Sequence, residues 1–153
     1  MKKLFFFLLG GIFLSACSAM MGEELARLPV NKISATEDQL FVEEATVELK
    51  KGEQIAFWSE IDLESEGDLA LEFRVQVWNN NEQIELLNVY PFQGNITMNE
   101  SKVQLGDHLN WSFSKKNTTW KCPESGKYKF SAILVSNGNE KLKLKKAELV
   151  IRK

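Results

Sequence analysis

One histidine, two cysteines and three prolines are spread over 153 residues. Each shortage removes a class of chemistry. His108 stands alone, and no grouping of His, Cys, Asp and Glu has metal-ligand spacing. No cofactor and no metal are expected. There is no glycine-rich phosphate loop and no nucleophile elbow. The carboxylates are scattered and nominate no glycosidase pair. His108 and Cys122 are the raw material for a nucleophile and base, but no motif joins them. The Asn79-Asn80-Asn81 and Asn137-Gly138-Asn139 tips read as turns and lack calcium-loop spacing. A surplus of positive charge is missing too. Nineteen basic residues face 21 acidic ones, a net charge of −2, which excludes a general nucleic-acid binder. No internal repeat occurs, and beyond Leu14 no apolar run approaches spanning length.

What is present begins at the first residue. Met1-Lys2-Lys3 is a short basic start, followed by the apolar run Leu4 to Leu14, LFFFLLGGIFL. As a helix this run rises about 16 Å, short of a hydrocarbon core of ~30 Å. It reads as a targeting segment. Next come Leu14-Ser15-Ala16-Cys17, which resemble the lipobox of bacterial lipoproteins. The resemblance implies that Leu14, Ser15 and Ala16 are read by a dedicated signal peptidase. It also implies that the Cys17 thiol takes a diacylglyceryl group and becomes the first mature residue. An ordinary signal peptidase cutting after Ala16 would use the same small residues. Ser18, where an Asp would signal inner-membrane retention, implies outer-membrane sorting if the host is Gram-negative. The expected place is the bacterial cell envelope, with the membrane a partner through the lipid on Cys17. At about 0.8 kcal/mol per buried methylene, two or three acyl chains would make release negligible.

The expected organisation is a signal peptide over 1–16, a lipidated end and flexible tether over 17–28, and one domain over 29–153. Period-two alternation dominates that domain. The clearest example is Leu69, Leu71, Phe73, Val75 and Val77, interleaved with Ala70, Glu72, Arg74, Gln76 and Trp78. A strand is expected from Phe41 to Leu49, with a turn at Lys50 to Glu53. Another runs from Ile55 to Leu63, and others cover Gln83 to Tyr90, Leu109 to Phe113 and Tyr128 to Leu134. Ile96 to Leu105 reads as a weaker strand plus loop, and Lys115 to Thr119 as a polar turn. Asn137 to Glu140 carries a hairpin signal. In the last strand the apolar parity changes at Lys145-Lys146, which predicts a β-bulge. Eight or nine strands with turns every 8–12 residues imply an all-β fold, an antiparallel β-sandwich of immunoglobulin-like or jelly-roll type. With Cys17 lipidated, Cys122 has no partner, and burial near a strand end is its expected fate.

Two features suggest surfaces. From Glu37 to Glu72 twelve acidic residues meet only Lys50 and Lys51. From Lys115 to Lys153 eleven basic residues meet three acidic ones. These charges either pair across neighbouring strands or form a basic face, with Lys127, Lys129, Lys143 and Lys145 at its centre. Trp58 and Trp78 fall opposite the apolar sets of their strands, so they either cap a covered edge or form a ligand platform. Trp111 alternates with Leu109 and Phe113 and is expected in the core. The expected function is a non-enzymatic binding or interaction module that meets an envelope protein. A carbohydrate- or small-ligand-binding lipoprotein is the alternative. An enzyme inhibitor or hydrolase is the remaining class.

Overall fold

Among the described residues, the alternating positions build nine strands in two antiparallel sheets. The computed structural model describes residues 21–153, so the leader, Leu14, Ser15, Ala16 and Cys17 lie outside the described residues. The strands are β1 (Glu24–Leu28), β2 (Glu43–Leu49), β3 (Gln54–Glu66), β4 (Leu71–Asn79), β5 (Glu82–Val89), β6 (Ile96–Leu105), β7 (His108–Lys121), β8 (Gly126–Ser136) and β9 (Lys143–Arg152). One sheet has the order β1-β9-β3-β7-β6 and the other β2-β8-β4-β5. This is the β-sandwich that the alternation implies. The set β3-β7-β6 facing β8-β4-β5 matches the way immunoglobulin sandwiches oppose strands B, E and D to F, C and C′. The flanks differ: the last strand, β9, lies beside β3, and the early strand β2 lies beside β8.

The core lies between the sheets. Ile55, Phe57, Ile61 and Leu63 of β3 face Phe73, Val75 and Val77 of β4 and Phe130 and Leu134 of β8, all buried. Aromatic edges bridge the layers. Phe57 meets Phe130 at 5.8 Å between centroids, and Trp120 meets Tyr128 at 5.3 Å. Such pairs contribute about 0.5–1.5 kcal/mol beyond their burial. Cys122 is buried, as expected, and its thiol donates to the Glu124 carbonyl at 2.9 Å. The Tyr128 hydroxyl donates to the same carbonyl at 2.6 Å.

Several local expectations change. The tether does not extend to Leu28: Glu24–Leu28 pair with β9, and Leu28 is fully buried. β2 starts at Glu43, leaving Phe41 and Val42 exposed in the preceding loop. Lys115 to Thr119 is no turn but the middle of the fourteen-residue β7. Its polar side chains flank a bulge, where Asn117 is skipped between the pairs Phe57↔Thr118 and Trp58↔Lys116. Asn137 to Glu140 does not close a hairpin. β8 and β9 belong to different sheets, and the Asn139 amide ties the crossing to the Glu66 and Asp68 carbonyls. The bulge predicted at Lys145-Lys146 is present, with Lys145 skipped between Asp62↔Lys146 and Leu63↔Leu144.

Candidate functional site

Among the described residues, two strands leave one side of their backbone unpaired at the same flank of the sandwich: β5 ends one sheet and β6 ends the other. The segment joining them, residues 90–95, crosses from sheet to sheet. The bulged Asn117 clamps it. Its side-chain amide donates to the Tyr90, Pro91 and Gln93 carbonyls at 2.9, 3.2 and 2.6 Å, and its Oδ1 accepts from Ser59 Oγ at 2.6 Å. This clamp brings Phe92 onto Trp111, where the rings stack at 5.1 Å with 12° between planes.

Trp111 faces inward and packs against the core, as expected, but at its margin, where it is half-buried. Its indole N–H donates to Glu100 Oε1 at 2.9 Å, and Lys102 Nζ stands 4.2 Å from the ring centroid. Both partners come from β6, so β6 turns its polar residues inward over the aromatic pair. Its outward face is the reverse of the usual pattern. Ile96, Met98, Ser101 and Val103 lie opposite Lys116, Ser114, Ser112 and Asn110 of β7, and Leu105 lies opposite His108. Ile96, Val103 and Leu105 are 40%, 54% and 75% exposed. A bulge at Asn99-Glu100, with Asn99 at a φ of 53°, keeps the two halves of this row on one face. An aliphatic row on an unpaired edge is what natural sheets otherwise avoid. On β5, Ile84 and Leu86 are also exposed.

The residues singled out from sequence do not converge. Trp58 is 2% exposed, against the Arg152 guanidinium. Trp78 is half-buried beneath Lys129 on the other sheet. The two cannot form one platform, because β3 and β4 turn their outer faces in opposite directions. The basic face fails for the same reason: Lys127 and Lys129 lie on β8, Lys143 and Lys145 on β9. Their charge is also met by the acidic strands. Lys129 pairs with Glu44 at 3.3 Å, Lys145 pairs with Glu64 at 2.6 Å, and Lys127 sits opposite Glu48. Cross-strand pairing of the uneven charges is thus what the fold adopts. His108 and Cys122 sit at opposite ends of β7, roughly 40 Å apart for a strand of that length, so they do not meet.

A compact ion cluster occupies the outer face of the five-stranded sheet. Arg27 contacts Glu24, Glu60 and Glu148, and Lys146 reaches Glu60 at 2.7 Å. Burial works against the charge on Glu60, yet the hydrogen bonds from Arg27 and Lys146 outweigh it and hold its pKa at about 2. The Glu60 carboxylate pushes Lys146 upward in turn. A concavity of about 540 Å³ lies on the outer face of the other sheet between residues 34–40 and strands β4 and β8. It is wide and open, and its walls mix Leu40, Arg74, Tyr90 and Val135.

No protein-family model matches this chain, and no curated protein matches it either.

Proposed function

We propose that this chain is a lipid-anchored protein of the bacterial envelope, held through Cys17, whose sandwich is a non-enzymatic interaction module. The observation that carries the interaction reading is the outward aliphatic row of β6 on an unpaired edge. An extended segment of a protein partner could add there as a further strand, taking main-chain hydrogen bonds from the edge and side-chain contacts from Ile96, Val103 and Leu105. The anchoring reading is supported by the leader and by Leu14-Ser15-Ala16-Cys17 alone.

Two measurements test the two halves. Blocking the lipoprotein signal peptidase should accumulate uncut precursor, and Cys17→Ala should release the chain from membranes. Normal processing under the inhibitor would sink the anchoring half. Leu105→Lys and Val103→Lys should abolish partner crosslinking in the envelope while leaving thermal unfolding within about 0.5 kcal/mol of the parent, as for other exposed sites. Unchanged crosslinking would sink the docking edge.

A further inference from the structure

We infer that the strand added to β6 is β6 of a second copy of this chain, paired antiparallel about a two-fold axis through Ser101. This rests on the docking-edge reading above and names the occupant.

The register of β6 selects this partner. Along β6 the ladder steps set by β7 run Ile96, Thr97, Met98, then Asn99 and Glu100 together opposite Phe113, then Ser101, Lys102, Val103, Gln104 and Leu105. Because the bulge counts as one step, Ser101 is the midpoint of the ladder. A two-fold axis there sets Ile96 against Leu105 of the second copy and Met98 against its Val103. All four lie on the outward face, so apolar meets apolar along the whole row. On the inward face the same operation sets Glu100 against Lys102 of the second copy, twice. Opposite charges directly across a pair stabilise it, whereas like charges would disrupt it. Without the bulge, an axis at Ser101 would put Val103 against Asn99 and Leu105 against Thr97. The bulge, normally a device that spoils an edge, here brings the strand into phase with itself. Such a contact is isologous and closes on itself as a dimer. It would fuse two five-stranded sheets into one.

The test uses full-length chain in detergent or native membranes. On the axis, two Ser101→Cys residues would stand about 4.5–5.5 Å apart at Cα, within disulfide range. Under a mild oxidant, S101C should give a band at twice the chain mass that a thiol reductant returns to monomer, and Asn88→Cys on the other free edge should not. Cys122 is buried and adds no background. Glu100→Lys and Lys102→Glu, each in the S101C chain, should lower the crosslinked fraction roughly three- to tenfold. The exchange of both together should restore it. Circular dichroism and protease resistance confirm that each variant is folded. A folded S101C chain that crosslinks only to a different polypeptide overturns the second copy and leaves the docking edge standing. A folded chain that crosslinks to nothing overturns both. A dimer indifferent to the charge exchanges overturns the register.

Discussion

Asn117 shows how much one side chain can hold. It sits at the bulge of β7 and satisfies three carbonyls of the segment that joins the two sheets. Asn117→Ala should leave those acceptors short of a donor and destabilise the fold by about 1–3 kcal/mol, read as a lower denaturant midpoint. Phe92 should then lose its stacking on Trp111, visible as a shift in tryptophan fluorescence. Glu60 makes a second prediction. Its folded pKa is about 2, below the 4.5 of a free carboxyl. Its stabilisation is therefore complete above about pH 4.5 and fades as the pH falls toward 2. A pH series of melting temperatures should show this acid loss, and Glu60→Gln should flatten that limb while lowering stability at neutral pH. Neither role was legible in the sequence. An Asn in Lys-Lys-Asn-Thr-Thr looks like turn chemistry, and Glu60 is one of 21 acidic residues until the fold sets it between Arg27 and Lys146.

At the scale of elements, alternation carried most of the information. β4 and β8 were plain because their buried apolar sets keep one parity without interruption. β9 was plain even in its defect, since Lys145-Lys146 shifts parity where the ladder skips a residue. Deleting Lys145 should remove that bulge and still keep Leu142 and Leu144 on the core face, because the ladder already skips that residue. Hydrogen exchange should then show protection retained at the start of β9, as it should for Lys145→Ala; protection lost in the deletion would sink this reading of the bulge. β6 and β7 were harder, for a physical reason. Each carries a bulge, and β6 places its apolar residues outward, so period-two reading found a weak strand beside a turn. The clue available was the parity change at Asn99-Glu100, the same kind of signal that was decisive in β9. The hairpin expected between β8 and β9 failed because turn chemistry reports a local bend and not which sheet the chain enters next.

For the whole molecule, the sandwich class followed from strand count and turn spacing, but the strand order did not. β2 lies beside β8 and β9 beside β3, long-range ladders that set acidic strands against basic ones. The same pairing consumes the charge asymmetry that sequence alone left open. Phe57→Ala should be the most damaging single truncation at the centre, costing about 3–5 kcal/mol, because Phe57 bridges the sheets at Phe130. Strand order also has a mechanical side. The chain enters the fold where Glu23 and Lys153 exchange backbone hydrogen bonds, at β1, and the free edge β6 lies at the far end of the same sheet. Under the proposed anchoring at Cys17 and docking at β6, tension between the two must cross four ladders in series. The β1–β9 ladder is the weak link, since β1 has only five residues. Under a steady pull β1 should peel away first and act as a fuse, lengthening the leash by a few residues while the other eight strands stay folded.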